Sequence, residues 1–236
     1  MKQRIDLLDF WRSLSVLLML LYHGIYDLEQ LGVLPAGSAE SPWALGARYL
    51  CAGSFILISG ACLQYSRDSV RRGFTVFLAG AAVTLVTTLL KRPVAFGILQ
   101  LLGVSMMLCG ALREKLTVKN VSLFSVLCLL GFVATLFLTK AVTVPVRWLY
   151  PLGLRYEGFY SADYYPLFPW LFLFLIGMRF GTWLSKQTKL CALRIAPGLP
   201  FAGRHRLIIY FLHQPIFYCI VWLLFHNRHW TSQNKI

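Results

Sequence analysis

Seven continuous apolar stretches, most of them about twenty residues long, leave this 236-residue chain few folds to choose from. A run of that length crosses the hydrocarbon core of a bilayer as a helix. Lipid offers no hydrogen-bond partner to an exposed backbone amide, so only helices and closed barrels span it. Barrel strands alternate apolar and polar residues. These runs do not alternate, so the expected fold is all-α, a polytopic membrane bundle of about seven transmembrane helices. A mean hydropathy of +0.64 at 26.9 kDa and 58% hydrophobic residues are too apolar for a soluble domain of this size. No linker, repeat or low-complexity segment divides residues 1–236, which read as a single transmembrane domain.

The expected spans are residues 8–28, 44–64, 74–90, 94–112, 121–139, 166–184 and 207–225. A polar loop with Pro35, Gly37, Ser38, Glu40 and Pro42 follows the first. Lys91-Arg92-Pro93 reads as a tight hairpin. The long connection 140–164 holds Pro145, Pro151 and Gly153 and should carry short elements of its own. Lys2 and Arg4 before an apolar core resemble a signal peptide, but Asp6, Asp9 and Arg12 interrupt the approach and no small-residue cleavage site follows. The segment therefore reads as a retained first helix. Gly53, Ser54, Ser59, Gly60 and Ala61 give the second span a small-residue face suited to close helix packing.

The net charge of +14 follows the positive-inside rule better than it suggests nucleic acid. With a cytoplasmic amino terminus most Lys and Arg fall on the inner side, although Lys91, Arg92 and the 140–164 connection run against the bias. The bilayer is then the first partner, and the carboxyl terminus lies outside. The six cysteines form no CxxC pair and read as small buried hydrophobes. No metal site is expected.

Several ionisable residues inside the spans need a reason to be there. A charge near the bilayer centre costs roughly 3 kcal/mol or more, so an intramembrane ionisable group is a functional candidate by default. Arg12 and His23 lie in the first span, eleven residues apart. On a helix that spacing places them on one face within about 20°, about 16 Å apart along the axis. Asp27 follows His23 by one turn. A carboxylate there can hold one ring nitrogen and leave the other as a general base, or it can mark the aqueous end of the helix. Asp9, three residues before Arg12, can neutralise it; otherwise Arg12 meets an anionic ligand. Arg67, Arg71 and Arg72 stand at the inner mouth, where guanidinium forks suit phosphate oxygens and also suit lipid headgroups. Asp163, Tyr164, Tyr165, Pro166, Pro169 and Trp170 open the sixth span from outside, as belt anchors or as contacts to a sugar hydroxyl or amine. His213, before Gln214 and Pro215, reads either as a packing hydrogen bond or as a second functional histidine.

These residues fall within a resemblance. Arg4-Ile5-Asp6-Leu7-Leu8-Asp9-Phe10-Trp11-Arg12 leading to Tyr22-His23-Gly24-Ile25-Tyr26-Asp27 is similar to the first helix of the bacterial relatives of heparan-α-glucosaminide N-acetyltransferase. Further matching blocks are Phe55-Ile56-Leu57-Ile58-Ser59-Gly60, Phe96-Gly97-Ile98-Leu99-Gln100 and Asp163-Tyr164-Tyr165-Pro166-Leu167-Phe168-Pro169-Trp170. Gly203-Arg204-His205-Arg206 through Tyr210-Phe211-Leu212-His213-Gln214-Pro215 completes the series. The Arg-to-His spacing of the first helix also resembles the broader transmembrane acyltransferase-3 proteins.

The resemblance implies acyl transfer from cytosolic acyl-CoA, commonly acetyl-CoA, to an amine or hydroxyl of an extracytoplasmic glycan or similar acceptor, across a bacterial inner membrane. It implies His23 as catalytic base or transient acyl carrier, with Asp27 orienting it and Arg12 supporting the donor side. Arg67, Arg71, Arg72 and His213 would attend the acyl-CoA; Asp163, Tyr164 and Trp170 would attend the acceptor. The chain departs from the pattern at Gln100, where many relatives carry histidine, and it is shorter than the human-type lysosomal enzyme. A small proton-coupled transporter using Arg, His and Asp as a relay is the competing class, and a non-catalytic scaffold is a third. No inverted repeat or pair of broken helices favours transport. The oligomeric state, including a homo-oligomer, stays open.

Overall fold

The structure, a computed structural model, describes residues 6–66, 68–113, 116, 120–187, 212, 216, 217, 219, 220 and 223. Six α-helices follow one another among them: α1 (Asp6–Gln30), α2 (Pro42–Cys62), α3 (Ser69–Leu89), α4 (Ile98–Ala111), α5 (Val121–Ala141) and α6 (Leu167–Leu184). Short 3-10 turns occupy Leu63–Tyr65 and Arg147–Leu152. No strand occurs among the described residues, and a parallel bridge joins Thr143 to Arg155. The all-α membrane bundle read from the sequence is the fold observed.

Among the described residues, four helical stretches are long and apolar enough to cross a membrane: Pro42–Tyr65, Ser69–Leu89, Val121–Ala141 and Leu167–Leu184. α1 has the length, at 25 residues, but carries Asp6, Asp9, Arg12, His23 and Asp27. α4 corrects an expectation. The span at 94–112 contracts to a 14-residue helix, which rises only about 21 Å against a hydrocarbon core of about 30 Å. The reason lies in the preceding turn. Lys91 (φ 58) and Phe96 (φ 56) adopt left-handed backbone, so the chain needs residues 90–97 to reverse and the Lys91-Arg92-Pro93 hairpin is wider than a tight turn. The seventh span, 207–225, lies largely outside the described residues; those described within it have helical backbone.

The chain divides into two compact units, one containing residues 56–188 and the other residues 3–55 with 189–236, and the division falls inside α2. In the first unit α3 and α4 run antiparallel with their backbones in contact. A Cβ added at Gly103 would lie 2.6 Å from the Phe77 nitrogen, and one added at Gly73 would lie 2.7 Å from the Gly103 carbonyl. Glycine at these crossings removes the side chain that would hold the helices apart. The small-residue face of the second span is used in the same way. Gly60 and Ala61 pack on the α6 backbone at Phe174 and Gly181, and Gly177 packs on Leu57, so this end of α2 and α6 run parallel. α5 runs antiparallel to α6: Phe132 meets Trp170 at 5.7 Å, while the Arg179 guanidinium lies over Phe124, 5.7 Å from the ring centroid. Ile56, Ala61, Leu101, Phe174 and Leu184 are fully buried, whereas Leu123, Leu127, Leu130 and Phe137 of α5 are exposed, as a lipid-facing surface requires.

In the second unit α1 and the first half of α2 run in opposite directions. The Cys51 thiol donates to the Ser15 carbonyl at 3.2 Å. Val16, Met19 and Cys51 form the core between them, flanked by Leu18, Leu20 and Phe55. The Arg48 guanidinium sits 5.8 Å from the Tyr22 ring centroid.

Candidate functional site

α1 is unbroken from Asp6 to Gln30, so the helical spacing of its polar residues is realised. Asp9, Val16 and Asp27 are buried along one stripe. At the start of the helix Arg12 donates to Asp9 Oδ1 at 2.5 Å, with the carboxylate side chain only 5% exposed. The neutralising partner weighed from the sequence is therefore present. It removes much of the cost of placing a guanidinium in an apolar helix.

Farther along the stripe lie His23 and Asp27. Asp27 is 1% exposed, and His23 Nδ1 and Asp27 Oδ2 are both shut off from solvent. The Tyr22 ring meets the imidazole edge-on at 5.6 Å. Among the described residues no atom lies within 4 Å of where a Cβ at Gly24 would project. A half-buried imidazole one turn from a buried carboxylate can move a proton to or from a neighbouring nucleophile.

Asp163, Tyr164 and Trp170 belong to the first unit, where they cap one end of the helices. Four hydrogen bonds lace their segment to the α3–α4 turn. Ala162 N–H donates to the Pro93 carbonyl and Tyr165 N–H to the Phe96 carbonyl, both at 3.0 Å. Ala95 N–H donates to Ser161 Oγ at 2.9 Å, and Ser161 Oγ donates to the Ala95 carbonyl at 3.2 Å. A Cβ at Gly97 would come 3.4 Å from Asp163 Oδ2. The Asp163 carboxylate thus stands near the start of α4, where helix amides favour negative charge. The Tyr164 hydroxyl donates to the Tyr150 carbonyl at 2.6 Å. Burial pushes its pKa up to about 12, against the pull of Arg155, so it stays a neutral donor at ordinary pH. Trp170 packs between Phe132 and Tyr165.

Arg71 and Arg72 are exposed on the first turn of α3, which Asp68 caps by accepting from Arg71 N–H at 2.9 Å. They stand at the opposite end of α3 from the turn that meets Asp163, about 27 Å away along the helix axis. The structure therefore separates these two groups rather than gathering them. Arg67 and His213 lie outside the described residues. Gln100 accepts from Gly97 N–H at 3.0 Å and from Thr84 Oγ1 at 3.4 Å, so it fastens the α4 start to α3.

Two charged residues escaped the sequence reading. Arg179, 7% exposed in α6, is a buried cation, and its signal was the one that singled out Arg12: a charge inside an apolar run. Glu29, just past the apolar run of α1, accepts from Gly37 N–H at 2.8 Å and Ala39 N–H at 2.6 Å. These two bonds hold its carboxyl below the ordinary range. No group of three or more metal-ligating side chains occurs among the described residues.

Residues 4–215 match the family described as heparan-alpha-glucosaminide N-acetyltransferase, catalytic. The chain belongs to this family. The match takes in nearly every residue discussed above and places the protein among membrane acetyltransferases. No curated protein and no solved structure matches the chain.

Proposed function

We propose that this family member moves an acetyl group from cytosolic acetyl-CoA to an amine or hydroxyl of an extracytoplasmic saccharide or similar acceptor. The observation that carries the reading is the imidazole, with its Nδ1 shielded from solvent, one turn from the buried Asp27 carboxylate on α1, in a chain whose family is one of acetyltransferases. His23 takes the proton of the acceptor N–H or O–H as that atom attacks the thioester carbonyl. The C–S bond breaks and CoA leaves as a thiolate that is then protonated. An alternative order has His23 carry the acyl group between donor and acceptor. Asp27 orients the ring. Arg12 already meets Asp9; Arg67, Arg71, Arg72 and His213 serve the donor, the exposed arginines of the α3 start suiting CoA phosphates. Asp163, Tyr164 and Trp170 serve the acceptor end. The amino terminus is cytoplasmic, in a bacterial plasma membrane.

The test is CoA release from acetyl-CoA by purified protein, with and without glucosamine. Release that depends on glucosamine is expected, together with an acetylated sugar by mass spectrometry. Glucosamine uptake into proteoliposomes lacking CoA, with no CoA release in solution, would overturn the reading.

A further inference from the structure

The connection between α5 and α6 belongs at the level of the lipid headgroups. α5 has 21 residues and so rises about 31 Å, against a hydrocarbon core of about 30 Å. Its length places the chain beyond Ala141 in the headgroup layer. Phe137 and Leu138, in the last turns of α5, are exposed, as the lipid-facing side of a span requires. The connection itself carries Trp148, 75% exposed, and Tyr160, 64% exposed. Such rings, apolar in body and polar at the tip, collect where a membrane meets water. The segment is tied to itself, with Val144 N–H donating to the Arg155 carbonyl at 2.9 Å and Tyr150 stacked on Phe159 at 5.4 Å.

At that level opens a recess of about 440 Å³ lined by Thr143, Val144, Pro145, Arg147, Tyr156 and Glu157. The Arg147 guanidinium lies 5.7 Å from the Tyr156 ring centroid, and stacking on an aromatic face restrains the fork. The lining carries both signs of charge. Arg147 offers donors alone, Glu157 acceptors alone, and the Thr143 hydroxyl both. A phosphodiester without an amine would meet the like charge of Glu157, and a quaternary ammonium has no N–H to give it. A phosphodiester joined by a short chain to a primary ammonium satisfies the whole lining. Its phosphate oxygens accept from Arg147 and Thr143, and its ammonium donates to Glu157. That is the headgroup of an aminophospholipid, and the exposed Phe137, Leu138 and Trp148 offer apolar surface to its acyl chains.

We propose that this recess seats the headgroup of an aminophospholipid of the surrounding bilayer. Such binding involves no covalent step and is independent of the acetyl-transfer reading. The probe is phosphatidylethanolamine, with phosphatidylglycerol and phosphatidylcholine of the same acyl chains for comparison. Each is titrated into the intact detergent-purified protein, and retained lipid is counted by native mass spectrometry. The wild type is expected to hold phosphatidylethanolamine about fivefold to tenfold more tightly than either comparison lipid. Arg147 and Glu157 are both exposed, so Arg147→Ala and Glu157→Gln should melt like the wild type. Arg147→Ala should hold phosphatidylethanolamine about fivefold to tenfold more weakly. Glu157→Gln should lose the preference for phosphatidylethanolamine over phosphatidylglycerol, and Glu157→Asp, which keeps the carboxylate, should retain it. Phosphatidylglycerol held by the wild type as tightly as phosphatidylethanolamine overturns the proposal, since the surface then seeks negative charge alone. A preference for phosphatidylethanolamine that survives in both Arg147→Ala and Glu157→Gln overturns it too, since the lipid then sits elsewhere.

Discussion

At the scale of single residues, α1 carries Asp9, Arg12, His23 and Asp27, with Arg179 of α6 apart from them. Arg12 with Asp9, and His23 with Asp27, are separations of three and four residues. A helix brings such residues together whatever the rest of the fold does, which is why this half of the candidate site was legible in the sequence. Glu29 shows the opposite case. Its partners are amides eight and ten residues away, across a loop whose path no periodicity dictates. The folded state lowers the Glu29 pKa below 4.5, so its contribution to holding the loop is present above the unfolded value and is lost as pH falls through the lowered one. Hydrogen exchange checks this. At neutral pH the Gly37 and Ala39 amides should exchange faster in Glu29→Gln than in the wild type. In acid strong enough to protonate the wild-type carboxyl, the two proteins should exchange alike. Equal exchange at neutral pH would show that the carboxylate does not hold the loop.

At the scale of elements, glycine placement decides how closely the helices approach. Gly103→Ala would drive its methyl onto Phe77 and the Gly73 carbonyl, 2.6–2.8 Å away and mostly backbone. Forcing two helices apart in this way typically costs about 1–3 kcal/mol. Gly46 in α2 has no described atom within 4 Å of its added Cβ, and alanine there gains about 1 kcal/mol of helix propensity. Melting of the purified variants should therefore fall for Gly103→Ala and hold or rise for Gly46→Ala. Equal melting temperatures would mean that the α3–α4 contact is not tight. The helices themselves were legible because apolar run length fixes a span. The contraction of α4 was not. Residues 94–97 are as apolar as a helix start, and only the left-handed backbone at Lys91 and Phe96 shows that they belong to the turn. The hydrogen bonds between that turn and residues 161–165 were equally invisible, since they join segments about seventy residues apart.

At the scale of the whole molecule, direction along the bundle matters most. In the first unit the parallel packing of the α2 end on α6, and the antiparallel pairs α3–α4 and α5–α6, are what helices reversing at each crossing produce. The same alternation sends Arg71 and Arg72 to one end and Asp163 to the other. The proposed acetyl transfer across a membrane calls for donor and acceptor chemistry on opposite faces and for a group that handles the proton. His23 on α1 is the proton-handling group of the proposed transfer. The direct measurement is the turnover of purified His23→Ala, by CoA release from acetyl-CoA with glucosamine, alongside a wild-type preparation of equal melting temperature. Loss of its acid–base step should lower kcat by about 100-fold or more. A folded His23→Ala protein that turns over at the wild-type rate would contradict a catalytic role for this imidazole.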